Sequence, residues 1–131
     1  MSRSGYSDDC DENELNLWRG AVQSAIRGKR GQAFLREMLA ALEAMSRQRL
    51  IANELQEADG EVCALGAVGL KRGMDMATID PEDRERVARE FGIAEALAAE
   101  IMNENDEAWC STPEERWQRM RDWVQSQIRV A

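Results

Sequence analysis

The side chains that could do chemistry in this chain are carboxylates, because the sequence contains no histidine and three scattered cysteines. Histidine is the commonest general base and the usual partner of serine and cysteine nucleophiles, so that class of catalysis has no support here. Cys10, Cys63 and Cys110 form no CxxC pair and have no histidine to complete a zinc site. The 25 aspartates and glutamates offer no spacing that selects a catalytic pair. The sequence therefore predicts a protein that is not an enzyme, with no cofactor and no metal site.

The basic stretch RGKRG, residues 27–31, is a second candidate site. Its glycines flank Lys29 and Arg30, and together with Arg27 they predict a tight loop that presents cations and N–H groups to a phosphate or an acidic partner. The stretch lacks the strand and the GK-Ser/Thr signature of a phosphate-binding loop. The competing interpretation is that these basic residues complement the negative end of the preceding helix.

The segment VAREFGIAEALAAEIM, residues 87–102, has the apolar and small positions of a helix-turn-helix. Reading DNA requires Arg, Lys, Asn or Gln on the second helix. That helix instead carries four acids and has no basic residue from 92 to 106: Glu95, Glu100, Glu104 and Asp106. We interpret the segment as a structural helix pair whose acidic face suits a basic partner.

Two further features lie near the end of this segment. NENDEAWCSTPE, residues 103–114, has oxygen-bearing side chains at several positions of a calcium loop, but Ala108 replaces the required glycine, so we expect a turn between helices. Trp109 in that turn and Trp123 at the edge of an apolar stripe are candidate anchors for a protein partner. Trp18 and Trp117 lie on apolar stripes and are predicted core residues.

Apolar residues recur at helical spacing along most of the chain, which predicts a mainly α fold, a compact bundle of five to six helices. The expected helices cover about 14–27, 32–45, a short glycine-containing segment after 63, Asp80 to Gly92, Ile93 onward, and a last one opened by Thr112 and Pro113. The first two are expected to form an antiparallel hairpin.

Residues 49–63 leave two alternatives open. Asp59-Gly60 is a turn signal between two short apolar pieces, which predicts a short β-hairpin. The other interpretation continues the preceding helix through Leu50 to Leu55 and leaves no sheet.

Composition and charge place the chain among globular proteins of one domain. It has 131 residues, 44% of them apolar, and a formal net charge of −8. We expect a flexible acidic leader over residues 1–13 and a single helical domain over 14–131. Residues 15–50 carry seven basic and two acidic side chains, so any nucleic-acid surface has to lie there. The longest uncharged run has nine residues and the N-terminus has no apolar core, so we expect a cytoplasmic protein without a membrane segment.

Three stretches together resemble a group of small uncharacterised bacterial and phage proteins. They are DGEVCALGAVG (59–69), FGIAEALAAEIMNENDEAW (91–109) and the helix after TPEERW, and the resemblance covers about residues 17–129. The group shares a "CALGA" helix start and an "ND" turn, although this chain has ENDE where some relatives carry a tryptophan before ND. The resemblance implies a compact helical fold with a minor hairpin, found in phages and prophages, and it transfers no functional residues.

We therefore predict a non-enzymatic protein-interaction module, such as a phage-encoded accessory protein that binds a host factor by mimicking nucleic acid. The alternative is a nucleic-acid-binding regulator that uses Arg27–Arg30 or the helix-turn-helix-like segment. The partner, the oligomeric state (a dimer is an option) and a carboxylate site assembled by the fold are left open by the sequence.

Overall fold

The computed structural model describes residues 12–106 and 112–129, with side chains from residue 17 onward. Within those ranges the chain forms six α-helices and no β-strand, which confirms the predicted mainly α bundle. The helices are α1 (Glu12–Arg27), α2 (Lys29–Glu43), α3 (Ala64–Arg72), α4 (Arg84–Phe91), α5 (Glu95–Asp106) and α6 (Pro113–Gln127). Within the described ranges, no helix has the length and apolar character needed to cross a membrane.

The core is assembled around α2 and α5. Helix α2 packs against α6 and α3, while α5 packs against α4, α1 and α3. The apolar stripe of α2 explains its position, because Phe34, Leu35, Met38 and Leu42 recur every three or four residues and all are buried. Helix α5 is rich in alanine and buried on most of its circumference, so it runs through the interior.

The prediction of a basic loop over residues 27–31 is wrong, because the linker between the first two helices is only one residue long. Gly28 alone separates α1 from α2, in an extended conformation (φ −67°, ψ 160°), so Lys29 and Arg30 lie in the first turn of α2. One residue is shorter than the roughly two- to five-residue loops that join antiparallel helices, so α1 and α2 meet at a corner at Gly28, and the two helices contact each other. Glycine at position 31 lets the start of α2 approach the end of α1 closely, because a Cβ there would overlap the carbonyl oxygen of Ala25.

Residues 44–63 contain no helix, so the interpretation of a helix continuing through Leu50 to Leu55 is wrong. The Asp59-Gly60 turn is present: Gly60 has a φ of 91°, and the Glu57 N–H donates to the Glu61 carbonyl at 2.8 Å. The hairpin is limited to one isolated antiparallel bridge, between Gln56 and Val62.

Tertiary contacts replace strand pairing over much of this segment. The Leu50 N–H donates to the carbonyl of Pro113 at 3.1 Å, and the Ile51 N–H donates to that of Val62 at 2.9 Å. Leu50 and Leu55 are themselves buried, so the segment belongs to the core despite its irregular backbone.

Helix α3 is the small-residue helix that the sequence predicts. Cys63 caps it, with its Sγ accepting a hydrogen bond from the Gly66 N–H at 3.4 Å. A Cβ at Gly66 would overlap the Leu55 carbonyl oxygen, so glycine lets the 44–63 segment lie against the helix. Gly73, in the left-handed region with a φ of 73°, ends α3.

Helix α4 begins three residues later than the Asp80–Pro81 signal predicts. Asp80 instead closes a turn, accepting a hydrogen bond from the Glu82 N–H at 2.9 Å, while Asp83 caps α4 by accepting from the Arg86 N–H. The predicted end at Gly92 is confirmed, since Gly92 has a φ of 73° and follows the last residue of α4. Helix α5 begins at Glu95, two residues after the predicted start at Ile93.

Helix α6 opens as predicted. The Thr112 hydroxyl accepts a hydrogen bond from the Glu115 N–H at 3.1 Å, and Pro113 occupies the first helical position. Trp117, Met120 and Val124 form its buried stripe. The Trp117 indole N–H also donates to the Leu42 carbonyl at 3.0 Å, which satisfies a carbonyl at the end of α2.

Candidate functional site

The acidic residues of α5 lie along one helix, but this chain's own side chains engage several of them. Glu95 forms an ion pair with Arg84 at 2.9 Å, and Glu104 forms one with Arg119 at 2.8 Å. The Glu104 side chain is only 17% exposed, and burial raises its pKa more than the positive charge of Arg119 lowers it. Glu100 is half-buried. The predicted acidic face is therefore less accessible than its sequence indicates.

Asp106 belongs to a polar cluster centred on Asn105, which is 1% exposed. The Asn105 side chain accepts from the Ala64 N–H at 3.1 Å and donates to the Ile51 carbonyl at 2.9 Å. Asp106 Oδ1 accepts from Asn105 Nδ2 and from the Asn53 N–H, at 2.8 and 3.0 Å. These contacts join the end of α5 to the start of α3 and to the 44–63 segment, which is a structural use of both residues.

The helix-turn-helix-like segment folds as two helices packed on each other, α4 and α5. Seven of the twelve residues of α5 are buried, including Leu97, Ile101 and Met102. A recognition helix has to present an open face to the major groove. The burial of α5 against its neighbours argues against the DNA-reading alternative for residues 87–102.

The tryptophans proposed as anchors have different positions. Trp123 is half-buried and packs against the core, so only part of its ring is accessible to a partner. Trp109 lies outside the described residues. Trp18 is also half-buried, and the Arg84 guanidinium lies 5.4 Å from its ring centroid, a cation–π contact between α1 and α4.

The three basic residues Arg27, Lys29 and Arg30 are exposed where α1 meets α2. The fold adds two more cations that sequence reasoning did not connect with them. Arg129, just after α6, donates its backbone N–H to Gln32 Oε1 at 2.8 Å, and Arg36 Nη2 donates to the Arg129 carbonyl at 2.8 Å. We call these five residues the basic corner: Arg27, Lys29, Arg30, Arg36 and Arg129.

Gln32 holds the basic corner together. It is 7% exposed, and its Nε2 donates to the carbonyls of Ile26 at 2.7 Å and of Gln127 at 3.0 Å. One buried amide thus joins the end of α1, the start of α2 and the end of α6. A lone glutamine carries no sequence signal for such a role, because its partners are backbone groups distant along the chain.

A surface cleft of about 430 Å³ lies at the other end of α2. We call it the Leu70 cleft, and its lining comes from the residues after α2, the Asp59-Gly60 turn and α3: Met45, Ser46, Arg47, Asp59, Gly60, Glu61, Val62 and Leu70. Glu61 is held by an ion pair with Arg49, whose pKa is raised chiefly by the hydrogen bond from its guanidinium to Glu61. Sequence reasoning did not identify this cleft, because its lining residues are scattered between positions 45 and 70.

No group of three or more histidine, cysteine or acidic side chains is placed to hold a metal ion within residues 12–106 and 112–129. Asn103 and Asn105, which suggested a calcium loop, lie inside α5, and residues 107–111 of that motif are not described. Cys63 is buried, as predicted, and its sulfur is occupied in capping α3.

Comparison with protein-family models, with curated proteins and with solved structures finds no match to this chain. Its function is therefore inferred from its own side chains. Two surfaces combine exposed groups from separate elements, namely the Leu70 cleft and the basic corner.

Proposed function

We propose that this protein is a non-enzymatic interaction module that binds a partner protein through the Leu70 cleft. The observation that carries the proposal is the exposure of Leu70, which remains 49% accessible beside the cleft. The half-buried Met45 adds apolar surface to the same depression. An apolar side chain of a partner that entered it would remove this surface from water, at roughly 25 cal/mol per Å².

The charges around the cleft support a protein partner. The side chain of Arg47, which lines the cleft, is 75% exposed, and the turn that carries Asp59 contributes to the same lining. Protein interfaces combine an apolar centre with a polar rim of this kind. Glu61 is fixed by Arg49 and so gives the rim a defined shape before binding.

The resemblance of residues 59–69 and 91–109 to phage and prophage proteins extends the proposal to the kind of partner. We propose a host protein as that partner and the cytoplasm as the place of binding. The host partner rests on the resemblance and the cytoplasm on the absence of a long apolar run in the sequence, whereas the cleft rests on the contacts described above.

Site-specific photo-crosslinking tests the proposal. A benzophenone amino acid at position 47 places the reactive group at the rim of the Leu70 cleft. The matched control has the same amino acid in place of the exposed Glu85, in the first turn of α4. We expect a discrete cross-linked protein from position 47 and not from position 85, and we expect Leu70→Gln to abolish it.

The Leu70→Gln change conserves helix propensity and affects a half-exposed position, so the free energy of unfolding should change by no more than about 1 kcal/mol. Urea denaturation checks that the variant is folded. A position-47 adduct that persists in Leu70→Gln would contradict the proposal. A cross-link between two copies of this chain would assign the cleft to self-association and overturn the proposal of a foreign partner.

A further inference from the structure

Five cations from three helical segments lie around the junction of α1, α2 and the end of α6. Arg27 ends α1, Lys29 and Arg30 begin α2, and Arg36 contacts Arg129 after α6 at 2.8 Å. Lys29 and Arg36 are seven residues apart, which places them on the same face of α2. The basic corner is therefore a product of the fold, although its first three residues are adjacent in sequence.

The positions of Lys29 and Arg30 are locally unfavourable. The first turn of a helix carries partial positive charge, and cations there are disfavoured by roughly 0.3–1 kcal/mol each. The first turn of α2 contains no acidic residue, and its N-cap, Gly28, provides no side-chain hydrogen bond. The chain thus holds positive charge where its own helix dipole opposes it.

The five cations also differ in their pairing from seven other arginines of the protein. Seven arginines lie within 4 Å of a carboxylate, namely Arg47, Arg49, Arg72, Arg84, Arg86, Arg119 and Arg121. Among the described residues, no carboxylate lies within that distance of any cation of the basic corner. Arg19, Lys71, Arg89 and Arg116 also have no described carboxylate within 4 Å, so the basic corner differs from them because it gathers five such cations from three elements. The charge of these five cations is left for a ligand.

We propose that the basic corner docks an acidic segment of a partner protein, as a second contact surface beyond the Leu70 cleft. The guanidinium group matches a carboxylate with two parallel hydrogen bonds, and arginine makes up four of the five cations. Helix α2 has 15 residues and is about 22 Å long at 1.5 Å per residue. Lys29 and Arg30 lie in its first turn and Arg36 at its middle, whereas the Leu70 cleft lies beyond its last residue, so the two surfaces are separate. They can therefore be tested independently.

The overall charge favours a short acidic segment over nucleic acid. The protein carries a net −8, so the surface outside the basic corner is strongly negative. DNA carries one negative charge per roughly 1.7 Å of its axis and extends beyond a local patch, so this surface would repel it. A segment bearing a few carboxylates places its charge on the corner alone.

Fluorescence anisotropy with two labelled probes, a polyglutamate peptide and a duplex DNA, tests the proposal at low and at physiological salt. The informative variant is Lys29→Gln/Arg30→Gln. Its matched control is Lys71→Gln/Arg89→Gln, which removes the same charge from exposed positions at the ends of α3 and α4. We expect polyglutamate to bind the wild type, with an affinity at least about tenfold lower in the corner variant and within about twofold in the control.

The free energy of unfolding of the corner variant shows whether a loss of binding comes from the missing cations or from unfolding. Removing cations from the first turn of α2 should leave the free energy of unfolding unchanged or higher, so lost binding would not reflect unfolding. Equal losses in the two variants, or no polyglutamate binding at low salt, would overturn the proposal. Tighter binding of the duplex than of the peptide would overturn the acidic-protein assignment in favour of nucleic acid. Leu70→Gln should bind polyglutamate as the wild type does, so this result does not depend on the Leu70 cleft.

Discussion

Arg72 and Glu37 form an ion pair with two hydrogen bonds, Nε to Oε2 and Nη2 to Oε1, each 2.7 Å long, which joins α3 to α2. The same guanidinium donates through Nη1 to the Phe91 carbonyl at 3.1 Å and lies 5.5 Å from the ring centroid of Phe34. One side chain therefore connects α2, α3 and the end of α4. Sequence reasoning did not pair Arg72 with Glu37, because 35 residues separate them.

This ion pair predicts a dependence of stability on pH. The hydrogen bond from Arg72 lowers the pKa of Glu37 below the 4.5 of an unperturbed glutamate. A carboxyl whose pKa is lower in the folded state adds stability above its unfolded pKa and loses it as the pH falls through the folded value. We expect Glu37→Gln to reduce the free energy of unfolding at pH 7, and the difference from wild type to shrink below about pH 4.5.

Urea denaturation at a series of pH values measures this difference. In an Arg72→Met background, the same Glu37→Gln change should have little effect on the pH profile, because the donor that lowers the pKa is absent. If the Glu37→Gln effect on stability depended on pH equally in both backgrounds, that pH dependence would belong to a group other than the Arg72–Glu37 pair.

Glu104 should contribute a pH dependence of stability opposite in sign to that of Glu37. Burial raises its pKa above 4.5, with Arg119 partly opposing the shift, so the folded state binds this proton more tightly than the unfolded chain. The native state therefore loses stability as the pH rises through that pKa. Relative to wild type, Glu104→Gln should be more stable at pH 7 than at pH 4. In the protein that retains Glu104, Arg119→Met should make the loss of stability with rising pH larger, because the charge that opposes the pKa shift is removed. A stability difference between Glu104→Gln and wild type that does not vary with pH would refute the raised pKa of Glu104.

Asn105 should be among the polar residues on which stability depends most. Asn105→Ala removes an acceptor from the Ala64 N–H and a donor from the Ile51 carbonyl in a buried site. Each unsatisfied buried group costs about 1–3 kcal/mol, so we expect a loss of roughly 3 kcal/mol in the free energy of unfolding. Asn103→Ala, on the same helix and half-buried, is the control and should change it by less than about 1 kcal/mol. Comparable losses in the two variants would show that the Asn105 contacts are not specific.

Two glycines predict opposite effects of the same substitution. Gly31→Ala places a methyl group on the Ala25 carbonyl oxygen and forces α1 and α2 apart, which should cost about 1–3 kcal/mol. Gly20→Ala, in α1, has no atom within 4 Å of the added Cβ and should gain roughly 0.5–1 kcal/mol from helix propensity. Thermal denaturation of the pair checks both signs. A stabilising Gly31→Ala would mean that the corner at Gly28 has room to relax.

Local signals in the sequence determined most of the helical framework. The amphipathic stripe of α2, the Thr112 cap and Pro113 of α6, and the glycine stop at Gly92 follow from propensity and from backbone groups a few residues apart. The Asp59-Gly60 turn follows for the same reason. Each of these features depends on neighbours along the chain, which is why residue type and spacing suffice to predict it.

Only the tertiary structure decided which charges stay accessible. Glu95 and Glu104 looked exposed from their spacing, yet arginines from other elements pair with both. Arg129 belongs to the basic corner because its backbone N–H donates to Gln32, which is 97 residues away in the sequence. The Leu70 cleft likewise exists because the residues after α2, the Asp59-Gly60 turn and α3 meet. Helical periodicity says which face of one element is polar, whereas accessibility depends on which other element lies against that face, and that is a property of packing.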